Sequence, residues 1–347
     1  MPAVTSGLPR RPRRTDSKVS CTQVMLSDFL CFSGGVGCRA KIDCAWSKYC
    51  QGELYHHVMG CSFVNMMHCD LRSFRRVLGF SSVSFMPHLL NIWPVVSGQL
   101  ANSPRVLLIF DYDGTLTPLV ADQAIARLPD RVRRCLAELA YKERFIIGVV
   151  SGRELAALEG LVAIPGLIYI GNHGLEMRGL GIDFVHPEAS GSIELMTKVS
   201  GSLAKELKRF PELTLHDKKL AVSVSFGNTL DSYTDEIGRA VTAALDPYIS
   251  AGKIKIIRGR KVFEVSPNID WGKGEAIKKI HQGCGDNPGV MFFGDDRDDE
   301  SGFVAVQEMN GIAVCIGPLR QDTKALHQVE SPAEVAQVLE LLENLDS

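Results

Sequence analysis

Two aspartates stand one residue apart at the end of an apolar run, in the segment "LLIFDYDGTLTPL" (107–119). Asp111 and Asp113 repel each other when both are ionised, so a site that holds both needs a cation or a shared proton. Gly114 allows the chain to turn sharply and leaves backbone N–H groups open to a ligand. Because carboxylate oxygens suit hard divalent cations, the segment predicts a metal site, most simply for Mg²⁺.

A second acidic cluster follows another apolar run, in "VMFFGDDRDDE". Alone, such a cluster is typical of an ordinary helix start, where carboxylates interact favourably with the helix dipole. The carboxyl ends of parallel strands meet at one edge of a sheet, and ligands bind there. The two acidic clusters together therefore favour a shared site. The acidic side chains of the second cluster are Asp295, Asp296, Asp298, Asp299 and Glu300.

Two further positions offer groups that bind an anion. Ser151 ends the strand-like run "RFIIGVVSG", and its hydroxyl and the following N–H groups suit a phosphate oxygen, although a helix N-cap explains the residue equally well. Lys273 stands between two glycines in "DWGKGEAI" and offers a point charge to a phosphate, whereas a lone lysine near a helix start is usually solvated.

These residues are carried by an α/β pattern that begins near Arg105. Short apolar runs predict buried parallel strands, and the amphipathic stretches between them predict helices. Residues 180–265 differ, because helical stretches alternate there with half-buried strands. The prediction is an α/β core with a parallel sheet, formed by residues 104–179 and 266–347, and a small α+β insertion formed by residues 180–265.

The first 103 residues show neither helical nor strand periodicity, which predicts a poorly ordered extension. Seven of the ten cysteines precede residue 70, but none has CxxC spacing and no secretory signal accompanies them, so neither a zinc site nor a disulfide framework is favoured. Basic residues near Arg10 leave a targeting role open. A net charge of −2 and the lack of a long apolar run favour a cytoplasmic protein without a nucleic-acid partner or membrane span.

The motifs "DYDGT", "VVSGR", "WGKG" and "GDDRDD" occur in an order that resembles the haloacid dehalogenase (HAD) superfamily of phosphohydrolases. The segments "GNHGLE" (171–176) and "VFEVSPNIDWGKG" narrow the resemblance to the trehalose-6-phosphate phosphatase family, from Leu107 to about Ile316. The resemblance implies a Rossmann-like core with an inserted cap. It also implies Mg²⁺-dependent hydrolysis of trehalose 6-phosphate to trehalose and phosphate through an aspartyl-phosphate.

The resemblance also implies roles for individual residues. Asp111 is expected to be the nucleophile and Asp113 the general acid and base. Ser151 and Lys273 are expected to hold the phosphoryl oxygens. The expected metal ligands are Asp111, the backbone carbonyl of Asp113, Asp295, Asp296 and Asp299. The expected sugar-binding residues are Arg153, Asn172, His173, Gly174, Glu176, Lys218 and Glu264.

The predicted cap departs from the family at two places. Ser266 stands where the family usually has a basic residue, and Ser225-Phe226-Gly227 replaces an "HYR"-like sequence. Two alternatives therefore stay open: another HAD sugar phosphatase or phosphomannomutase-like enzyme, and a non-catalytic phosphatase-like regulatory module. The trehalose-6-phosphate phosphatase hypothesis and the alternative enzyme hypothesis both expect a small-molecule sugar phosphate as the substrate. The sequence does not indicate an oligomeric state.

Overall fold

The structure is a computed structural model. It describes residues 86–120, 126–226, 233–259, 261–285, 287–318, 320 and 322–346. The predicted poorly ordered extension, up to residue 85, lies outside the described residues, and so does Gly227. Of the helices in the described part of the chain, none has the length and apolar character needed to cross a membrane.

Strands and helices alternate over residues 93–171 and 273–316, as the sequence predicts for an α/β protein. The strands are β1 (Val106–Asp111), β2 (Phe145–Val150), β3 (Ile168–Gly171), β4 (Glu176–Gly179), β5 (Ile182–Val185), β6 (Thr214–Asp217), β7 (Val222–Ser225), β8 (Ile254–Gly259), β9 (Val262–Pro267), β10 (Gly289–Gly294), β11 (Ile312–Ile316) and β12 (His327–Val329). The helices are α1 (Trp93–Ala101), α2 (Asp130–Tyr141), α3 (Leu155–Val162), α4 (Pro187–Gly191), α5 (Ile193–Glu206), α6 (Thr234–Ser250), α7 (Lys273–Gly283), α8 (Glu300–Glu308) and α9 (Pro332–Glu343).

The larger sheet has eight strands in the order β12-β11-β10-β1-β2-β3-β4-β5. The pairs from β12 to β3 are parallel, and β4 and β5 are added antiparallel. Every residue of β1 and β2 is buried, because helices cover both faces of the sheet. This mostly parallel sheet confirms the predicted α/β fold class.

Side chains along β1 alternate between the two faces of this sheet. Leu108 and Phe110 belong to the hydrophobic cluster that includes α2 and α9, whereas Leu107 and Ile109 belong to the cluster that includes α7 and α8. Asp111 continues the second series, so the alternation directs its carboxylate to the side of α7. The strand thereby fixes which helix can supply a partner for this buried charge.

The strand register brings the predicted motifs to one edge of the sheet. β1 lies between β10 and β2, with Phe110 opposite Phe293 and Asp111 opposite Val150. The chain therefore leaves these three strands at the same level, and the residues that follow them surround one position.

A second sheet lies in the segment predicted as the α+β insertion. Its four strands are antiparallel and run in the order β6-β7-β9-β8. α5 and α6 supply Val199 and Val241 to one hydrophobic cluster with Val224 of β7. Ser223 and Glu264 point to the opposite face and line a cavity above the larger sheet. The predicted strand β7 and the predicted hairpin of β8 and β9 are present.

Two segments extend the large sheet and its core beyond the boundaries expected from the sequence. The expected extension includes residues 86–103, but Leu89, Val96 and Leu100 are buried in the cluster beside β1. β5 falls within the expected insertion, but it pairs with β4 as a hairpin and so continues the larger sheet. The core therefore begins before residue 104, and its first segment continues past residue 179, the two boundaries predicted from the apolar pattern.

The turn between β4 and β5 provides a test of backbone strain. Gly179 has a φ of +126°, and a Cβ there would lie 2.0 Å from the backbone oxygen of Leu167, whereas Gly181 has a φ of +82° with open space around it. We expect Gly179→Ala to lower the free energy of unfolding by about 3 kcal/mol or more, and Gly181→Ala by about 1 kcal/mol. Urea denaturation of both variants measures the difference, and equal losses would contradict the predicted clash.

Candidate active site

The carboxylate of Asp111 lies beneath the cavity and is bound by a buried lysine. Lys273 is the first residue of α7 and only 2% of its side chain is exposed. Its Nζ donates to Asp111 Oδ1 at 2.7 Å and to Asp299 Oδ1 at 2.7 Å, and it lies 2.8 Å from Asp298 Oδ2. Burial lowers the pKa of Lys273, but these three carboxylates outweigh it and hold the pKa well above its usual value. Lys273 is therefore an ammonium in this site.

Four carboxylates lie near Lys273, and one ammonium cannot neutralise all of them when they are ionised. Burial, with the neighbouring aspartates, raises the pKa of Asp111 well above its usual value, that of Asp295 to about 8 and that of Asp299 to about 6. Burial also acts on Asp298, but Lys273 and His173 reverse the effect and lower its pKa. A further cation would relieve this excess of buried negative charge.

Three of these carboxylates form a group that fits a divalent cation. One oxygen from each of Asp111, Asp295 and Asp299 lies within 4.8 Å of the others. Asp295 Oδ1 is buried and, within the described part of the chain, has no hydrogen-bond partner. A Cβ on Gly114 would lie 2.3 Å from Asp295 Oδ2, so the turn after β1 needs glycine to leave room for this carboxylate. Oxygen ligands of this kind suit Mg²⁺ or Ca²⁺ better than softer metals.

One expected metal ligand, Asp296, has its carboxylate outside this group. Asp296 begins the 3₁₀ turn 297–299 and accepts a hydrogen bond from the backbone N–H of Arg297 at 2.7 Å, so it serves as a helix cap. Asp299, by contrast, joins the cluster, and its Oδ2 also accepts the backbone N–H groups of Asp295 and Asp296 at 2.9 and 3.0 Å. The backbone carbonyl of Asp113 stays a predicted ligand.

The carboxylate of Asp113 is held by Arg153. Nε and Nη2 of Arg153 donate to the two Asp113 oxygens at 2.7 and 2.6 Å, in the bidentate geometry typical of strong arginine–carboxylate pairs. The guanidinium also lies 5.5 Å from the ring centroid of Tyr112. Ser151 Oγ lies 3.5 Å from Asp113 Oδ2 and accepts the backbone N–H of Arg153 at 3.2 Å. Ser151 and Arg153 thus both lie beside the predicted general acid.

The segment "GNHGLE" follows β3 and places its side chains in two different environments. Asn172 donates to Glu176 Oε1 at 2.6 Å, and the same oxygen accepts the backbone N–H of Leu155 at 2.8 Å. Asn172 and Glu176 therefore support the start of α3 from behind the cavity wall. Gly174, with a φ of +103°, packs where a Cβ would lie 2.8 Å from the carbonyl oxygen of Gly272. Of the four sugar-binding residues predicted in this segment, His173 alone lines the large cavity.

Lys218 and Glu264, two of the predicted sugar-binding residues, lie on the cavity wall. Lys218 Nζ donates to Glu264 Oε1 at 2.9 Å and to the carbonyl oxygen of Gly152 at 2.7 Å, so it links the second sheet to the loop after β2. His173 Nδ1 lies 2.9 Å from Asp298 Oδ2, and its Nε2 lies 4.0 Å from Glu264 Oε2. Polar contacts thus run from Lys273 through Asp298 to His173, whose Nε2 faces Glu264 of the second sheet without a hydrogen-bond partner in the described part of the chain.

The cavity between the strand ends and the second sheet has a volume of about 1020 Å³. The strands above it contribute hydroxyl groups from Thr214, Ser223 and Ser225. Ser225 is one of the positions that depart from the family pattern, whereas Phe226 is buried in the hydrophobic core of the cap. Ser266 is buried and lies opposite Lys255 in the β8–β9 register.

Two contacts of this site were not predicted from the sequence. Asp298 belongs to a recognised acidic cluster, but its position between Lys273 and His173 depends on the 3₁₀ turn 297–299. Arg320 binds the backbone of the same loop from a segment about twenty-five residues away. The sequence carries no pattern for Arg320, because its partners are backbone carbonyl oxygens.

The chain is similar in sequence to proteins that are named trehalose-phosphate phosphatases. The chain is 30% identical over 247 residues to a probable trehalose-phosphate phosphatase 4 of Oryza sativa subsp. japonica, covering 68% of this chain and 65% of that relative's length. It is also 30% identical over 274 residues to a trehalose-phosphate phosphatase of Mycobacterium tuberculosis, covering 76% of this chain and 67% of the relative.

Solved structures agree on the fold. The C-terminal domain of a C. albicans trehalose-6-phosphate phosphatase aligns with a TM-score of 0.67 at 24% identity, covering 76% of this chain and 99% of that domain. An Aspergillus fumigatus trehalose-6-phosphate phosphatase aligns with a TM-score of 0.53 at 26% identity, covering 75% and 99%. A sequence model of the trehalose-phosphatase family matches residues 109–333, a range that contains Asp111, Asp113, Lys273 and residues 295–299, and the chain therefore belongs to that family.

Proposed function

We propose that this chain hydrolyses trehalose 6-phosphate to trehalose and inorganic phosphate in a Mg²⁺-dependent reaction, a step of trehalose biosynthesis. The observation that carries the proposal is the buried Asp111 carboxylate, bound by Lys273 at 2.7 Å beneath a cavity of about 1020 Å³. A carboxylate nucleophile that is oriented by an ammonium and followed two residues later by a second carboxylate suits phosphoryl transfer through a covalent intermediate.

In the first step, an Asp111 oxygen attacks phosphorus and the bond between phosphorus and the sugar oxygen breaks. Asp113 gives its proton to that oxygen, so trehalose leaves as a neutral alcohol and an aspartyl-phosphate forms on Asp111. Lys273 orients the attacking carboxylate and, with Ser151, stabilises the charge on the phosphoryl oxygens. When bound by Asp111, Asp295 and Asp299, Mg²⁺ supplies further neutralisation of that charge.

In the second step, Asp113 is a carboxylate and takes a proton from a water molecule. The water oxygen attacks phosphorus, the bond between phosphorus and Asp111 breaks, and phosphate leaves, so both aspartates return to their starting states. Arg153 binds both oxygens of Asp113 and so orients this carboxylate beside the reacting centre. The substrate phosphoryl group is a further anion for this guanidinium, which supports the substrate contact predicted for Arg153.

The remaining part of the cavity suits an uncharged sugar. Lys218 and Glu264 form an ion pair on the wall, and the strands beside them present hydroxyl groups, so sugar hydroxyls would find both donors and acceptors. A disaccharide also fills more of such a cavity than a single hexose does.

A second candidate is hydrolysis of a different sugar phosphate. Ser225 lines the cavity and belongs to the Ser225-Phe226-Gly227 segment, which replaces the "HYR"-like sequence of the family. The wall that would contact the sugar therefore differs from the family pattern, whereas the phosphoryl-binding residues Ser151 and Lys273 match it. A purely regulatory role is less favourable, because Asp111, Asp113 and Lys273 are all retained.

A phosphate-release assay with a substrate panel tests the proposal. We expect release from trehalose 6-phosphate in the presence of Mg²⁺, loss of release in EDTA, and recovery when Mg²⁺ is restored. The panel compares trehalose 6-phosphate with the phosphates of sucrose, glucosylglycerol and mannose. Faster turnover of one of the latter would favour the second candidate, and no release from any of them by folded protein would contradict both.

A further inference from the structure

The acidic loop, residues 295–299, is held from two sides. On the inner side, the backbone N–H groups of Asp295 and Asp296 donate to Asp299 Oδ2 at 2.9 and 3.0 Å. On the outer side, Arg320 Nη1 donates to the carbonyl oxygen of Asp295 at 3.0 Å, and Nη2 donates to that of Asp296 at 3.1 Å. The peptide unit between Asp295 and Asp296 is therefore fixed at both its N–H and its C=O.

The guanidinium of Arg320 is itself fixed. Its Nη2 also donates to Glu300 Oε1 at 2.6 Å, while Glu300 Oε2 accepts the backbone N–H of Lys324 at 2.6 Å. The side chain of Arg320 is 22% exposed, and that of Glu300 is 24% exposed. A planar fork with several donors can bind two carbonyl oxygens and a carboxylate at once, which a lysine ammonium cannot do with the same geometry.

This arrangement controls the direction of Asp295. One of its oxygens lies within 4.8 Å of one oxygen of Asp111, and among the described residues its buried Oδ1 has no hydrogen-bond partner, so the backbone of the loop sets the position of this carboxylate. Releasing the peptide unit from Arg320 would let the repelling carboxylates of the loop move apart.

We propose that Arg320 is a positioning residue for the divalent-cation site, which it serves without contacting the cation. The proposal rests on the proposed site at Asp111, Asp295 and Asp299. Groups that orient metal ligands typically contribute about 10- to 100-fold to metal affinity. Arg320 accordingly acts on the affinity for Mg²⁺ and leaves the chemical step unchanged once the site is filled.

The test is a calorimetric titration of Mg²⁺ into the full-length protein without substrate. We expect Arg320→Met to raise the Kd for Mg²⁺ by about 10- to 100-fold, with kcat at saturating Mg²⁺ close to that of the wild type. The matched control is Arg131→Met, which removes an arginine with an equally bidentate contact, to Glu340 on the surface between α2 and α9, at 2.5 and 2.6 Å. This control should leave the Kd unchanged.

Arg320→Lys separates fork geometry from charge, and it also serves if the methionine variant does not fold. We expect the Kd of the lysine variant for Mg²⁺ to be raised nearly as much as that of the methionine variant. A wild-type Kd in either folded variant would overturn the proposal, and so would a fall in kcat at saturating Mg²⁺ with an unchanged Kd, which would assign Arg320 to the substrate. Because binding is measured without substrate, its outcome is independent of whether trehalose 6-phosphate is turned over.

Discussion

Asp111→Asn is expected to lower the rate of phosphate release by about 10⁴-fold or more, because the amide cannot form the aspartyl-phosphate. The same variant is expected to remain folded. Burial raises the pKa of Asp111, so the folded protein binds a proton more tightly there than the unfolded chain does, and the ionised group destabilises the fold as pH rises towards that pKa. Removing the charge therefore raises, or leaves unchanged, the melting temperature in EDTA at neutral pH.

Phosphate release at saturating trehalose 6-phosphate and Mg²⁺, together with thermal melting in EDTA, checks both parts. Loss of activity with a retained melting temperature supports Asp111 as the nucleophile. Wild-type release by folded Asp111→Asn would refute that role, and a strongly lowered melting temperature would show that the carboxylate is needed for the fold.

Lys273→Met is expected to have the largest effect on stability. The ammonium is the shared partner of Asp111, Asp298 and Asp299 at 2.7–2.8 Å, and its removal leaves buried charges without compensation. Breaking a buried charge pair from one side costs about 3–5 kcal/mol. We therefore expect a loss of this size in the free energy of unfolding, measured by urea denaturation in EDTA, and loss of phosphate release.

The control for this prediction lies on the same helix. Lys278 contacts Glu308 at 2.6 Å, but both side chains are substantially exposed, 36% and 57%. Such a pair contributes little, so Lys278→Met should change the free energy of unfolding by less than about 0.5 kcal/mol. Similar losses in the free energy of unfolding for the two variants would show that the contribution of Lys273 to stability does not depend on its burial.

The fold was most predictable where burial is complete. β1, β2 and β10 are continuous apolar runs, since the centre of a covered parallel sheet needs apolar side chains on both faces. β5 is short, and its residues alternate between partly buried and exposed, so hairpin pairing with β4 and not composition assigns it to the large sheet. α1 likewise gains its place through Val96 and Leu100, within a segment that has no clear periodicity.

The site was predictable to the extent that its chemistry is local in sequence. Asp111, Lys273 and Asp295 each lie directly at an element end, so a short motif specifies their position. Asn172 and Glu176 belong to an equally clear motif. The motif does not predict, however, that their side chains form a hydrogen bond with each other behind the cavity wall. The contacts of Arg320 depend on how two loops meet, which no short segment encodes.

The second sheet occupies one uninterrupted stretch of the chain, from β6 to β9, whereas Asp111, Ser151 and Asp295 lie at the ends of strands of the larger sheet. A mutation within that stretch can change which sugar fits without displacing Asp111 or the acidic loop. After gene duplication, the two copies can therefore diverge in the molecules they recognise while both inherit the same bond-breaking apparatus.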